Sequence, residues 1–115
     1  MVETIILNYL NSTLDVSAYM EEPERPEGSY VLIEKTGSQT QNRIETAMVA
    51  IQSYGRSLAE AAKLNAAVKK AMDGIVSLYS IGSAKLNSDY NYTDMETKRY
   101  RYQCVYNIVF YDLEV

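Results

Sequence analysis

No stretch constrains the fold more than residues 97–111, TKRYRYQCVYNIVFY. Taken at period two, Tyr100, Tyr102, Cys104, Tyr106, Ile108 and Phe110 make one unbroken apolar and aromatic row. The intervening Arg99, Arg101, Gln103, Val105, Asn107, Val109 and Tyr111 begin polar and end half apolar. Such alternation marks a strand with one face on a core. β-Branched and aromatic residues dominate it, and neither Gly nor Pro interrupts it. A helix would scatter the tyrosines around its whole cylinder. The stretch is therefore the spine of a sheet. Extended from residue 96 to residue 111, it would reach roughly 53 Å at ~3.3 Å per residue. A compact domain of this size is only about 35 Å across. The spine should outrun its body, so that the end of the last hairpin, around 88–100, projects as an arm carrying Tyr90, Tyr92, Arg99 and Arg101.

At 115 residues the chain is one domain, 1–115, large enough to bury roughly two-thirds of its unfolded surface without staples. Its single cysteine, Cys104, falls on the apolar row and reads as a small buried hydrophobe in a reducing compartment. The chain has no histidine, which removes the commonest general base, metal ligand and pH switch. Paired carboxylates occur at Glu21 and Glu22 and at Asp112 and Glu114, in a loop and near the chain end, where solvated charge is the reading. Gly37 and Gly55 form no phosphate-cradling pattern. No catalytic, cofactor-binding or metal-binding residue is expected, and the protein is not expected to be an enzyme.

Met1 leads straight into an amphipathic segment with no basic leader, and no apolar run approaches the ~20 residues of a membrane span. A soluble protein made in the cytoplasm, with no membrane partner, is the expectation. A net charge of −4 and a pI near 4.8 count against gripping nucleic acid through phosphates. Tyrosine is over-used, with 11 copies against one Phe and no Trp. Large area with a polar tip suits surfaces buried against another subunit yet wet at the rim.

Val2, Ile5, Ile6, Tyr9, Leu10 and Thr13 share a helical stripe, so residues 2–13 read as a first helix. Two prolines and five charges make 18–28 an ordered surface loop. Residues 30–36 form a strand, 37–41 read as turn chemistry, and 43–54 form its hairpin partner. Along that partner Ile44, Met48 and Ala50 lie on one side, with Ala47, Val49 and Ile51 on the other. Ser57 and Glu60 make a capping box for a helix over 57–73 whose stripe includes Leu58, Ala61, Asn65, Val68 and Met72. In 82–92, Ala84, Leu86, Ser88, Tyr90 and Tyr92 alternate against Lys85, Asn87, Asp89 and Asn91. The fold class is thus α+β in the order α-β-β-α-β-β. It is a four-stranded, mainly antiparallel sheet with both helices on one face and a long projecting C-terminal hairpin.

The run Arg99-Tyr100-Arg101-Tyr102 invites comparison with sheet-surface RNA binding. Alternation sends its arginines and tyrosines to opposite faces, the chain is acidic, and the element order differs from that module. A different resemblance covers nearly the whole chain. YVLIEK (30–35), AIQSY (50–54), SLAEAAKLNAAVKKAM (57–72) and RYRYQ (99–103) resemble the small neck proteins of long-tailed bacteriophages and prophages. These are the tail-terminator or tail-completion proteins, also labelled minor capsid or head-tail joining proteins. The resemblance implies an α+β structural protein of the virion neck that assembles as a hexameric ring. The ring would bind the tail-tube protein on one face and the head-tail connector protein on the other, while DNA passes through without specific binding. It places 100–103 in the ring-building sheet and 18–28 at a ring face, while the projecting arm, which one domain has too little mass to bury, makes Tyr90, Tyr92, Arg99 and Arg101 the expected subunit-interface residues. Another head-tail joining component (an adaptor or stopper) and a non-phage oligomeric α+β binding module are the alternatives.

Overall fold

The apolar stripe of the first segment folds as expected into helix α1 (Val2–Thr13), burying Val2, Ile6 and Leu10. The computed structural model describes residues 1–24, 28–41 and 44–111. After α1 come strand β1 (Ala18–Tyr19), strand β2 (Tyr30–Gln41) and strand β3 (Ile44–Gly55). Helix α2 (Leu58–Asp73) and a 3₁₀ turn (Ile75–Ser77) lead to strand β4 (Ile81–Asn91) and strand β5 (Tyr100–Tyr111). The class is α+β, and the sheet has five strands in the order β1-β2-β3-β5-β4. One core joins Val2, Ile6 and Leu10 of α1, Leu64, Val68 and Met72 of α2, and inward residues of β2, β3, β4 and β5. Both helices therefore cover the same face of the sheet.

Several of the expected features need correction. The fifth strand, β1, lies inside the segment read as a loop, where Ala18 and Tyr19 pair parallel with Val31 and Leu32. Two residues are too short to show any period, and Asn11 secures them by accepting from the Ala18 amide at 2.8 Å. Next, 37–41 is strand rather than turn: β2 runs on to Gln41, with Thr36 as an extra residue between Lys35 and Gly37. The start of the second strand at Arg43 lies outside the described residues, as do 25–27 of the 18–28 segment and the carboxylates Asp112 and Glu114.

The capping box closes on one side only. Ser57 Oγ accepts from the Glu60 amide at 3.1 Å, whereas the Glu60 carboxylate turns to Ser29 and Arg56. Gly55, just ahead of that cap, has no room for a side chain, because a Cβ there would sit 2.5 Å from the Ala61 nitrogen.

Nor is the spine an unaccompanied arm. Strand β5 has 12 residues, but so do β2 and β3, and β3 pairs with β5 from Gly55–Tyr100 to Ile44–Tyr111. The body lengthens with the strand, to 44 × 25 × 24 Å.

The phase of β4 is also changed, by two bulges at Gly82 and Asn87. Each extra residue exchanges inward and outward positions for every residue beyond it. Ala84 and Leu86 share the helix-covered face with Ile108 and Tyr106, but beyond Asn87 it is Asp89 that faces Cys104 on that side. Tyr90, expected on the side of Ala84 and Leu86, pairs instead with Gln103 on the uncovered face, and Tyr92 follows it. The displaced Asp89 meets α2, accepting from Asn65 Nδ2 at 2.6 Å and from Lys69 Nζ at 2.5 Å.

Candidate functional site

The face of the sheet that the helices leave open carries the most organised group of polar side chains in the molecule. Its geometry comes from register. Tyr30 lies opposite Tyr54 across β2 and β3, and Tyr54 lies opposite Arg101 across β3 and β5. Because paired residues share a face, the first residue of β2, the penultimate residue of β3 and Arg101 of β5 come together, with Arg99 just ahead of that strand. The Tyr30 and Tyr54 rings stack with centroids 4.6 Å apart and planes at 8°, and Tyr19 meets Tyr30 edge-on at 6.1 Å. Arg99 and Arg101 both lie over the Tyr54 ring, at 4.8 and 5.7 Å. Arg101 is also 4.5 Å from the Tyr92 ring, so its guanidinium is held between two aromatic faces. Tyr92 in turn meets Tyr90 edge-on at 5.7 Å.

Hydrogen bonds run through this stack in one direction. Arg101 Nη1 donates to the Tyr54 hydroxyl at 2.8 Å, and that hydroxyl donates to Gln52 Oε1 at 3.1 Å. Gln52 Nε2 donates to Gln103 Oε1 at 2.9 Å, and Gln103 Nε2 donates to the Tyr90 hydroxyl at 2.5 Å. Each group directs its donor to the next acceptor, so members polarise one another. Arg101 Nε also donates to the Tyr92 carbonyl at 2.7 Å.

A second branch fixes the segment after β1. Arg99 donates to the Glu22 carboxylate and, at 2.5 Å, to the Tyr30 hydroxyl, which itself donates to Glu22 at 3.2 Å. Arg99 holds the Glu22 carboxyl below the ordinary carboxylate range, and Glu22 in turn raises the Arg99 pKa. Burial pushes the Tyr30 phenol up to about 12, against the pull of the Arg99 cation. Beside this branch, Arg56, Lys98 and Arg99 line a shallow notch of about 220 Å³, with Lys98 in the left-handed region at φ 55°.

All four residues singled out in sequence, Tyr90, Tyr92, Arg99 and Arg101, thus lie in one surface group. They are not alike: Tyr90 and Tyr92 are exposed, while the two arginines are half-buried in the stack. Sequence reasoning missed Glu22, Tyr30, Gln52, Tyr54 and Gln103. Counting outward from the Gln41–Ile44 pair would have set Tyr30 opposite Gly55, one residue off, because the extra residue at Thr36 shifts the register, and the turn-like composition of 37–41 hides even that pair.

Cys104 lies on the opposite, covered face, where burial pushes its thiol up to about 12 and keeps it neutral. Among the described residues, no three His, Cys, Asp or Glu side chains gather to hold a metal ion, and no helix is long and apolar enough to cross a membrane. Further along the open face, Ile44, Met48 and Tyr111 are exposed apolar side chains. A scan against protein-family models and a search of curated proteins each returned no match to this chain.

Proposed function

We propose that this chain is a structural, non-enzymatic component of the neck of a long-tailed bacteriophage or prophage. It forms a ring that ends the tail tube and joins it to the head. One observation carries the reading: an uncovered sheet face whose aromatic and cationic side chains are locked in position, alongside exposed apolar residues and only a shallow notch. Such a surface favours a macromolecular partner, since aromatic rings and arginine are the side chains that anchor protein interfaces. Tyr90, Tyr92, Arg99 and Arg101 belong to that surface and are assigned to the subunit interface. The sixfold count comes from the resemblance of the sequence.

The acidic balance of the chain suits a passage through which DNA must slide, because a lumen of net negative charge holds phosphates weakly. In this role the protein binds the last ring of tail-tube protein, presents its other face to the head-tail connector, and resides at the tail-head junction of the virion. The test is assembly. Light scattering on the purified protein should show a ring-sized oligomer, alone or after addition of tail-tube protein. Added to growing tubes, it should arrest their elongation. A strict monomer at high concentration with tube protein present sinks the ring, and tubes that elongate undisturbed by a bound ring favour an adaptor or stopper instead.

A further inference from the structure

We propose that the acidic turn after β1, residues 20–24, of one copy seats against the Tyr92–Arg101 step of the next, where Arg101 takes a carboxylate from Glu21 or Glu24. Built on the ring reading above, this docking names what each copy offers its neighbour.

The receiving side is defined by what Arg101 lacks. Among the described residues, Lys35, Arg56, Lys69 and Arg99 each pair with a carboxylate, on Glu3, Glu60, Asp89 and Glu22 respectively. Arg101 has none, and its bonds go to a backbone carbonyl and a phenol. It is half-buried between two rings, a setting in which water screens the charge poorly and a carboxylate bond is strong. Its second terminal nitrogen makes no bond within the described residues.

The donating side is the reverse. Glu21 and Glu24 are exposed and bond to nothing among the described residues, while Glu22 between them is tied to Arg99 and Tyr30. The turn is therefore held in place with two carboxylates facing solvent, so little ordering remains to be done on binding.

Within one copy Glu22 ties the turn to Arg99, which shares the Tyr54 ring with Arg101, yet among the described residues neither Glu21 nor Glu24 bonds Arg101 there. The acidic turn follows β1, one lateral edge of the sheet, whereas Tyr92 extends β4, the other edge, with Arg101 one strand inward. Both lie at the same end of the strands, since Tyr30, Tyr54 and Arg101 form one cross-strand row. A turn of one copy seated on Arg101 of the next joins two different patches, the heterologous type of contact that can close into rings. A nucleic acid is a poor occupant, because Tyr54 presents its faces to Tyr30 and the arginines rather than to a base.

Charge exchange tests the docking. Arg101→Glu and the double variant Glu21→Lys/Glu24→Lys should each associate at least tenfold more weakly than the parent in sizing and light scattering. An equimolar mixture of the two should regain association, because each supplies the charge the other lost. Arg101→Glu also breaks bonds inside its own subunit, so the exposed turn variant is the deciding one. If it assembles as the parent does, the turn is not the occupant, although the ring stands. If the parent itself is monomeric, the ring reading falls and a peptide copying residues 18–24 becomes the probe. A saturable shift of the Arg101 side-chain resonance, abolished when the peptide glutamates are replaced by glutamine, supports the site, and its absence overturns it.

Discussion

The two faces of this sheet are built from alternate residues of the same strands, and each has a buried part that it reaches by different means. Under the helices, Val49, Ile51, Cys104 and Ile108 are sealed by a second layer, and their contacts are non-directional. On the open face no layer lies above, yet Gln52 and Gln103 are 7 % and 8 % exposed, as deep as Ala71 at 8 % in α2. Long neighbours do the covering: the rings of Tyr54 and Tyr90 bond to the two amides, and the arginine stems lie alongside. A sheet face can thus be dry without being packed, provided each polar atom has a partner. The first face tolerates shape changes poorly, whereas the second should tolerate loss of a partner poorly.

The largest effect should come from charging the covered face. Val68 is fully buried beneath the sheet, and Val68→Asp should unfold the protein, a loss above about 4 kcal/mol read by circular dichroism. A folded Val68→Asp protein would break the distinction at its root. Phe110→Ala, at the end of the same core, should cost about 3–5 kcal/mol in thermal or urea melts, as a deleted core aromatic does. The open face is tested by Gln52→Leu, which keeps the volume but leaves Tyr54 without its acceptor and Gln103 without its donor. Destabilisation of about 2 kcal/mol is expected. A neutral result would mean that the open face is held by ring stacking and not by its hydrogen bonds.

Smaller still, Ser57→Ala removes one cap from α2 and should cost about 1 kcal/mol without disturbing the open face. The least effect at neutral pH, and the most informative one at the extremes, is that of Asp89→Asn. Burial opposes the Asp89 charge, but Lys69 and Asn65 outweigh it and hold its pKa below the ordinary carboxylate value. Its stabilisation is complete above about pH 4, the unfolded value, and fades as pH falls through the lower folded one. Lys69 is raised by the same bond, so its share is complete below about pH 10 and fades as pH climbs through the folded value. Denaturation midpoints measured across pH should lose both limbs in Asp89→Asn, which locates the pair on the covered face's rim.

Periodicity makes α1, α2, β3 and β5 legible, because each buries one regular face, and the alternation 47/49/51 against 44/48/50 holds in the structure. The surface group is half visible. Tyr90, Tyr92, Arg99 and Arg101 stand out by composition, but their partners do not. Gln52 and Gln103 are 51 residues apart, and nothing local marks two glutamines as neighbours. Bulges hide the remainder. An extra residue such as Thr36 or Asn87 leaves no compositional trace, and it inverts every assignment beyond it.

That inversion has an evolutionary consequence at Asn87. One surplus residue puts Asp89 under α2 and Tyr90 and Tyr92 on the outer surface. A single-codon deletion there would leave composition and length almost unchanged, yet it would exchange the two sets, taking the anchor from the helix and the aromatic pair from the exterior together. Inserting or removing two residues would preserve parity and shift only the reach of the strand. Length variation among descendants of this chain should therefore come in even steps along β4, and an odd step should be tolerated only where a second, compensating one restores the phase.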